Sequence, residues 1–489
     1  MMQENRDPVY RHAQGAPERL ALWTPSRQWT YAELDAVVTA TCDCLQRRGI
    51  RRKTRVAVHL DRRPETVVLL WALWRAGAVA VPLSTRLPAA EVGRHAERVG
   101  SEGLITTQKR VREHVSESLP CWGPDALLNG KQPGSREATG GELSIDRPAT
   151  IVFTSGSTGT PKAALHTWRN HLYSAKGSNA NLPLRPGDRW LLSLPLYHVG
   201  GLAILVRCAV AGAAVALPDA EATLTDELEA AGATHVSLVA TQLRRLLDRT
   251  DGSPPTSLRA VLLGGGPIPD SLLRRGHDRG WPLLTSYGCT EMASQVTTTA
   301  PGAPLDDLRR AGRRLPHRRV QINDGQIMVA GAPLFAGYVT PNGLDDPRTA
   351  DGWYPTGDRG RMDAGGRLHV LGRMDRMFVS GGENVQPEEI ETALERIDGV
   401  ERAVVVPVPS PDYGQRPVAF LRTTKSLEPS QLRDALMKRL PGFKVPDAFH
   451  SLPQDRIDDG LKLDHEQLRR RARMLHDGES QGDEDSPIY

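Results

Sequence analysis

Short apolar runs alternate with amphipathic segments along the first part of this chain, and this alternation limits the fold more than any other feature. Arg55–Leu60 (RVAVHL) predicts a strand, and Glu65–Arg75 has the spacing of an amphipathic helix. Further strands are predicted at Ala78–Val81, Leu104–Thr106, Trp190–Leu194, Ala213–Leu217, His235–Val239 and Ala260–Leu263. Strands that alternate with helices form parallel sheets with helices on their faces. We therefore predict an α/β fold.

The composition indicates a globular protein with more than one domain. The chain has 489 residues, of which 39% are apolar and 25% are charged, and a chain of this length forms two or three domains. Its 62 basic and 58 acidic side chains give a net charge of only +4, which argues against a dedicated nucleic-acid-binding protein. The longest apolar runs, Val67–Trp74 and Ala76–Leu83, are too short to span a bilayer. Residues 1–12 lack the apolar core of a signal peptide.

The five cysteines are sparse and irregularly spaced, at positions 42, 44, 121, 208 and 289. An odd number without regular spacing favours reduced thiols over a disulfide framework or a zinc site. We therefore expect a cytoplasmic protein.

A separate small unit is predicted for the carboxy-terminal part of the chain. Pro387 suits the first position of a helix, and apolar residues with helical spacing follow it up to Ile397. Strands at Ala403–Val406 and Val418–Leu421 and a helix with leucines 432, 436 and 440 come next. We expect residues 1–374 to form a large domain, residues 375–475 a small mobile one, and residues 476–489 a disordered acidic tail.

A run rich in glycine and hydroxyl groups, FTSGSTGTPK at residues 153–162, comes directly after the mostly apolar stretch Ala149–Phe153. The backbone N–H groups and hydroxyls of such a turn suit phosphate oxygens. The common nucleotide loop needs Gly, Lys and Ser or Thr in succession, whereas Lys162 here follows Pro161 and precedes Ala163. Taken alone, the run is equally compatible with a flexible surface loop.

Six further motifs follow this run. They are LPLYHVGG (194–201), LLGGGP (262–267), TSYGCTEMAS (285–294), DGWYPTGDRG (351–360), LGRMDRMFVSGGENVQPEEIE (371–391) and DGLKLD (459–464). In this order and spacing the motifs resemble those of the adenylate-forming superfamily, which comprises acyl-CoA synthetases, luciferases and the adenylation domains of peptide synthetases. The resemblance extends from about Trp29 to about Lys462. It implies a large N-terminal domain of parallel-rich sheets with helix cover and a β-barrel-like subdomain, and a small mobile C-terminal α+β domain.

Within this superfamily, three stretches are most similar to the o-succinylbenzoate–CoA ligases of menaquinone biosynthesis. These stretches are LPLYHVGGLAILVR, YGCTEMASQVTT and SGGENVQPEEIE. Most of the superfamily has adjacent Gly and Lys in its last motif, whereas this chain has Gly460-Leu461-Lys462. That separation resembles some members of the succinylbenzoate group, and it leaves the exact reach of Lys462 open.

The resemblance implies a ligase that forms a carbon–sulfur bond in two half-reactions. A carboxylate and ATP first give acyl-AMP and pyrophosphate, and the thiol of coenzyme A then displaces AMP. Because an anion attacks an anion in the first step, Mg²⁺ and donor groups must offset the repulsion. The expected ligands are a small carboxylic acid, ATP, Mg²⁺ and coenzyme A as a substrate, without nucleic acid or a membrane span. The oligomeric state stays open, and a homodimer is compatible with this interpretation.

The resemblance also assigns roles in nucleotide binding to residues of these motifs. The β- and γ-phosphates would bind Thr154, Ser155, Ser157, Thr158 and Lys162, with Gly156 and Gly159 allowing the backbone to approach. Thr290 would donate to the α-phosphate, and Glu291 would bind Mg²⁺. Adenine and ribose would contact Tyr287, Gly264, Gly265, Gly266, Asp358 and Arg373.

The remaining roles concern the acid, the hinge and coenzyme A. Lys462 would bridge the carboxylate and α-phosphate oxygens during adenylation. The acyl group would lie against His198, Gly200, Gly201 and Arg207, with His198 also counted as catalytic and Arg207 facing a second carboxylate. Asp375 would be the hinge of the small domain, and the channel for coenzyme A would include Ser380, Gly381, Gly382 and Glu383.

Each of these residues also has an ordinary structural interpretation. Tyr287 is compatible with a core aromatic residue, His198 with a hydrogen-bonded packing residue, and Glu291 with an acidic residue at a helix start. Asp358 is compatible with a turn former after glycine. Arg207 is compatible with a surface or helix-end arginine.

Other functions remain open at this point. The chain is compatible with a ligase for another aromatic or fatty acid, or with a stand-alone adenylation enzyme that loads a separate carrier protein. A nucleotide-binding protein without catalysis is disfavoured because the expected phosphate, magnesium and lysine positions are all filled.

Overall fold

The structure is a computed structural model of the chain. It describes residues 6–128, 143–154, 161–218, 222–249, 252–453 and 465–479, with side chains up to Leu475 in the last range. Among these residues, no helix is both long enough and apolar enough to cross a membrane.

The strands and helices are numbered here in chain order. The strands are β1 (Leu20–Trp23), β2 (Gln28–Thr30), β3 (Arg55–His59), β4 (Val79–Pro82), β5 (Gly103–Thr106), β6 (Cys121–Trp122), β7 (Pro148–Thr154), β8 (Lys162–Thr167), β9 (Arg189–Leu191), β10 (Ala214–Ala216), β11 (His235–Leu238), β12 (Ala260–Leu263), β13 (Leu283–Cys289), β14 (Ser294–Thr298), β15 (Arg313–Arg314), β16 (Arg318–Asn323), β17 (Gln326–Gly331), β18 (Gly337–Thr340), β19 (Gly343–Asp345), β20 (Tyr354–Met362), β21 (Leu368–Arg373), β22 (Phe378–Ser380), β23 (Glu383–Val385), β24 (Val400–Ser410), β25 (Gly414–Thr423) and β26 (Ala448–Ser451). The α-helices are α1 (Pro8–Gly15), α2 (Tyr31–Arg47), α3 (Pro64–Ala76), α4 (Ala89–Arg98), α5 (Lys109–Glu113), α6 (Asp125–Leu128), α7 (Trp168–Asn181), α8 (Val199–Ala211), α9 (Leu224–Ala230), α10 (Ala240–Arg249), α11 (Asp270–Asp278), α12 (Leu305–Leu308), α13 (Pro387–Leu394), α14 (Pro429–Met437) and α15 (His465–Glu479).

Two large sheets, with helices between and around them, form most of the molecule. One has the strand order β15-β14-β13-β12-β11-β9-β10-β1-β2, and its six strands from β13 to β1 pair in parallel. The other has the order β19-β18-β8-β7-β4-β3-β5-β6, and its five strands from β7 to β6 pair in parallel. Helices α2, α3, α7 and α8 contribute buried side chains to one hydrophobic cluster together with strands of both sheets. The predicted α/β class with parallel-rich sheets is thereby confirmed.

The strands predicted up to Leu263 occur within one or two residues of their expected positions, with one informative exception, whereas the two predicted in the carboxy-terminal part are longer, at Val400–Ser410 and Gly414–Thr423. Trp190–Leu194 is a strand only up to Leu191. Beyond it, Arg62 donates hydrogen bonds to the carbonyl oxygens of Leu192 and Ser193 at 3.1 and 2.6 Å. The Arg62 guanidinium therefore supplies the donors that a neighbouring strand would otherwise supply. The chain leaves the sheet here and continues to α8.

A third sheet is antiparallel and has the order β16-β17-β20-β21. A bridge between Arg313 and Arg367 connects β15 of the nine-stranded sheet to the start of β21. We assign the β-barrel-like subdomain that the resemblance implies to this sheet. Its strands β20 and β21 place Asp358 directly opposite Arg373.

The carboxy-terminal part forms its own five-stranded sheet with helices α13, α14 and α15. Its two hydrophobic clusters lie on opposite faces of the long hairpin β24–β25, since alternate residues such as Val404 and Val405 belong to different clusters. The predicted helices are present, but α13 ends at Leu394 and α14 at Met437, so Ile397 and Leu440 lie in the following turns. Helix α15 extends to Glu479, into the segment expected to be disordered, and residues 480–489 lie outside the described residues.

Candidate active site

The two ends of the glycine-rich run lie on neighbouring antiparallel strands, β7 and β8. Strand β7 is buried from Ala149 to Val152, and Thr154 at its end pairs with Lys162 at the start of β8. The Nζ atom of Lys162 lies 5.0 Å from the centre of the Tyr338 ring. Residues 155–160 lie outside the described residues, so the roles expected for Ser155, Gly156, Ser157, Thr158 and Gly159 stay predictions.

The second glycine-rich segment, Gly264–Gly266, follows the carboxyl end of strand β12. Gly265 has φ +84°, a conformation that glycine adopts without strain. A Cβ atom at Gly264 would lie 2.9 Å from Oγ of Ser286 on the neighbouring strand. The glycines therefore leave the backbone without side chains at this end of the sheet. In open α/β sheets, ligands bind at the carboxyl ends of parallel strands.

Strand β13 carries Tyr287 to the antiparallel sheet. The Tyr287 hydroxyl donates a hydrogen bond of 2.6 Å to Oδ2 of Asp358, and Nη1 of Arg373 donates to Oδ1 at 3.1 Å. Burial raises the pKa of Tyr287 well above its usual value, with the charge of Asp358 adding to the effect, so the phenol keeps its proton. The ring itself lies in a hydrophobic cluster. Tyr287 is thus both a core aromatic residue and a hydrogen-bond donor to Asp358, the residue expected to bind ribose.

Thr290 and Glu291 lie in a sharp turn directly after β13. They form a one-turn 3₁₀ helix, Thr290–Met292, and the next two residues have φ values of 51° and 126°. The Glu291 side chain is buried, and its Oε1 accepts a hydrogen bond of 2.6 Å from the Tyr338 hydroxyl. That hydroxyl is in turn 2.8 Å from the hydroxyl of Tyr354.

This arrangement fits the Mg²⁺ role expected for Glu291. Burial raises the pKa of both Tyr338 and Tyr354, so both hydroxyls remain protonated and Tyr338 acts as the donor to Glu291. A neutral hydroxyl orients the carboxylate oxygens without placing a competing positive charge beside them, and Mg²⁺ takes oxygen ligands. Tyr338 and Tyr354 were not among the predicted site residues, although Tyr354 belongs to the motif DGWYPTGDRG.

Helix α8 carries the residues expected at the acyl group. His198 is its N-cap residue, and a Cβ atom at Gly201 would collide with the carbonyl oxygen of Pro195. Arg207 lies in the third turn of the helix and is only 1% exposed. Its guanidinium donates to Oγ of Ser294 at 3.0 Å. The surface and helix-end interpretations of Arg207 are therefore wrong, because the side chain points into the protein.

The charge of Arg207 has no carboxylate partner among the described residues. Its Nε atom is buried without a hydrogen-bond partner there, and its guanidinium lies 5.2 Å from the centre of the Trp190 ring. Burial lowers the pKa of Arg207 to about 10, so the group remains a cation at neutral pH. A buried cation of this kind is costly unless an anion joins it.

The expected hinge and coenzyme A residues lie where the antiparallel sheet meets the small sheet. Arg373 donates to both carboxylate oxygens of Asp375, at 3.1 and 2.8 Å, while it also contacts Asp358. Gly381 and Gly382 form the two-residue turn between β22 and β23, and both have positive φ values. That pattern is typical of a tight hairpin turn, which leaves Glu383 exposed beside it.

Lys462, with Gly460 and Leu461, lies outside the described residues, so its role stays a prediction. Another lysine in the last part of the chain, Lys444, donates to Glu389 at 2.6 Å. It is therefore engaged in an ion pair with helix α13.

Eight of the described site residues form three groups. One contains Lys162 and Glu291 around Tyr338, the second contains Tyr287, Asp358, Arg373 and Asp375, and the third contains His198 and Arg207 on α8. The turn after β13 connects them, because it follows Tyr287, contains Glu291 and is joined to Arg207 through Ser294.

The fold and these three groups define a class of enzyme. The family described as AMP-binding enzyme matches residues 9–339, and the family described as AMP-binding enzyme C-terminal domain matches residues 389–457. The chain belongs to the AMP-binding enzyme family.

Comparison with individual relatives gives more specific information than the match to the family. A 2-succinylbenzoate–CoA ligase of Bacillus pumilus is 33% identical, over 93% of this chain and 96% of the relative. The structure of o-succinylbenzoate CoA synthetase from Bacillus subtilis with its acyl-adenylate intermediate matches with a TM-score of 0.86 and 32% identity, over 95% of this chain and 98% of that one. The same enzyme with ATP and a magnesium ion matches with a TM-score of 0.83 and 32% identity, over 91% and 96% of the two chains. These findings confirm the resemblance drawn from the motifs.

Proposed function

We propose that this chain is an ATP-dependent, AMP-forming ligase that converts 2-succinylbenzoate (o-succinylbenzoate) to 2-succinylbenzoyl-CoA, a reaction of menaquinone biosynthesis. The relatives with this activity match nearly the whole chain at about one-third identity. The observation that carries the proposal is the buried Arg207, whose charge has no carboxylate partner among the described residues.

Arg207 fits this acid because 2-succinylbenzoate has two carboxylates. One is activated, and the other keeps its negative charge throughout the reaction. A buried guanidinium supplies planar, paired donors that suit such a carboxylate. An acid with a single carboxylate, such as benzoate or a fatty acid, would leave the buried Arg207 without an anionic partner.

The first half-reaction joins the other carboxylate to AMP. One of its oxygens attacks the α-phosphorus of ATP, and the bond to pyrophosphate breaks. Lys162 holds the outer phosphates, Thr290 donates to the α-phosphate, and Asp358 accepts from the ribose hydroxyls while Tyr287 and Arg373 fix it. Mg²⁺, when bound at Glu291, offsets the negative charge of the phosphates.

The second half-reaction transfers the acyl group to the thiol of coenzyme A. The sulfur attacks the acyl carbon, AMP leaves with the bonding pair, and the thiol proton is lost. The large domain, residues 1–374, and the small domain, residues 375–475, rotate about Asp375, so that Lys462 serves the first step and the Ser380–Glu383 loop serves the second. The position of Asp375 beside Arg373 supports this, because it links the expected hinge to the expected ribose site.

The setting of the enzyme is also part of the proposal. We place the protein in the cytoplasm, where its five cysteines, all unpaired in the structure, remain reduced. Its partners are ATP, the acid and coenzyme A, and a homodimer is compatible with the chain.

The test is a panel of acids, namely 2-succinylbenzoate, benzoate, a medium-chain fatty acid and an amino acid, each with ATP, Mg²⁺ and coenzyme A. The release of AMP is measured together with the mass of the thioester. We expect 2-succinylbenzoate to give the highest kcat/KM by orders of magnitude. Faster turnover of benzoate or the fatty acid would identify a different acid–CoA ligase, and acyl-AMP without thioester would identify an enzyme that loads a carrier.

A further inference from the structure

A buried histidine outside the expected site holds the turn that carries Thr290 and Glu291. His166 lies on strand β8, four residues after Lys162, and is fully buried. Its Nε2 atom is 2.7 Å from the carbonyl oxygen of Thr290. A carbonyl oxygen only accepts hydrogen bonds, so Nε2 carries the proton. The other ring nitrogen, Nδ1, has no hydrogen-bond partner among the described residues.

The turn needs such support because its backbone is unusual. Ala293 and Ser294 both have positive φ values although neither is glycine, and such residues persist only when their surroundings hold them. The carbonyl oxygen of Thr290 accepts from the N–H of Ala293 at 2.9 Å, which closes the turn, and from His166. His166 therefore acts on the peptide group that sets the directions of the Thr290 and Glu291 side chains.

Two neighbouring contacts complete the support. The carbonyl oxygen of Glu291 accepts from the N–H of Phe335 at 2.8 Å, and that of Ala293 accepts from the Ser174 hydroxyl at 2.9 Å. Of these three donors, His166 alone belongs to the strand that begins at Lys162. His166 thus connects strand β8, which begins at Lys162, directly to the turn.

We propose that His166 is a positioning residue for adenylation, which fixes Thr290 and Glu291 relative to the β7–β8 hairpin through its Nε2–H donor. This inference rests on the proposed function, since adenylation is the step in which Thr290 acts. Burial lowers the pKa of His166 to about 4, so the imidazole is neutral at neutral pH.

The test compares His166→Gln with His166→Met. The two side chains have the same length and similar volume, but only Gln has a donor at the position of Nε2. We expect His166→Gln to stay within about threefold of the wild type in acyl-AMP formation, whereas His166→Met lowers kcat about 10- to 100-fold, the scale of a misplaced catalytic group. The KM for 2-succinylbenzoate should stay the same, and calorimetry should show weaker AMP binding in the Met variant only.

His171 provides the matched control. It is equally buried, its ring centre is 5.3 Å from that of His166, and it bonds to the Thr150 hydroxyl rather than to the turn. His171→Gln and His171→Met should therefore equal each other in kcat. Equal kcat and equal AMP affinity in His166→Gln and His166→Met would overturn the proposal, as would an unfolded Met variant beside a folded Gln variant, because the hydrogen bond would then serve stability.

Failure of the proposed function gives a different result. If the wild type does not activate 2-succinylbenzoate but AMP binding still separates the Gln and Met variants, the positioning role stands and the proposed substrate is wrong.

Discussion

The hydroxyl of Tyr287 donates a 2.6 Å hydrogen bond to Oδ2 of Asp358, across two different sheets. Because Arg373 holds the other oxygen, protein donors fix the orientation of the carboxylate. Tyr287→Phe keeps the ring in its hydrophobic cluster and removes only the donor. We expect the KM for ATP to rise about 10-fold, since a hydrogen bond to a charged group contributes about 1.5–3 kcal/mol. Tyr173→Phe, which alters a tyrosine outside the expected site, should leave it unchanged, and equal values in the two variants would remove Tyr287 from the nucleotide site.

Glu291 should determine the response to magnesium. Glu291→Gln preserves the shape and the acceptor for Tyr338 but removes the negative charge. Adenylation should fall by about two to three orders of magnitude, and raised Mg²⁺ should restore part of it. Titration of the initial rate with Mg²⁺ in both proteins measures this. A variant that keeps the normal rate at low Mg²⁺ would show that Glu291 does not bind the metal.

Substitution of Arg207 should weaken substrate binding without lowering the stability of the protein. Arg207→Met removes a buried cation that lacks a carboxylate partner among the described residues. The KM for 2-succinylbenzoate should rise about 100-fold, because the second carboxylate loses a charge-assisted contact, while the KM for ATP stays the same. The thermal midpoint should not fall, because an unpaired buried charge does not stabilise the free protein. A lower midpoint with an unchanged KM would mean that Arg207 is structural.

Glu395 should make the free energy of unfolding depend on pH. Burial raises its pKa to about 7, against an ordinary value of 4.5. Between these values the folded state binds more protons than the unfolded state, so the stability that Glu395 contributes is lost as the pH rises from 4.5 through 7. Glu395→Gln should therefore stabilise the protein at pH 8 by about 1 kcal/mol, an amount reduced because the side chain is partly exposed, and by nothing at pH 4.5.

Thermal unfolding at the two pH values measures the effect of Glu395. The exposed Glu428→Gln is the control and should show no such difference. A stabilisation by Glu395→Gln that is the same at both pH values would contradict the assignment.

The strands and helices were predictable wherever a local pattern of apolar residues is by itself typical of one kind of element. The run RVAVHL became β3 because a parallel strand buried on both faces needs continuous apolar residues. The end of β9 was not predictable, because Arg62, far away in the chain, supplies the donors that stop it. The same holds for the site. Asp358 stands in a recognisable motif, but nothing in the sequence near His166 or Tyr338 indicates that long-range packing brings their donors to Thr290 and Glu291.

The chain is expected to make an acyl-adenylate of 2-succinylbenzoate and to pass the acyl group to coenzyme A. A single-turnover experiment with enzyme in excess measures acyl-AMP and acyl-CoA separately, for the wild type and for Lys462→Ala. The wild type should accumulate 2-succinylbenzoyl-AMP when coenzyme A is absent and convert it to the thioester when coenzyme A is added. Lys462→Ala should lower acyl-AMP formation by about 10²–10³ yet convert supplied acyl-AMP at nearly the normal rate. Release of ADP instead of AMP, or thioester without an acyl-AMP intermediate, would contradict the proposed two-step reaction.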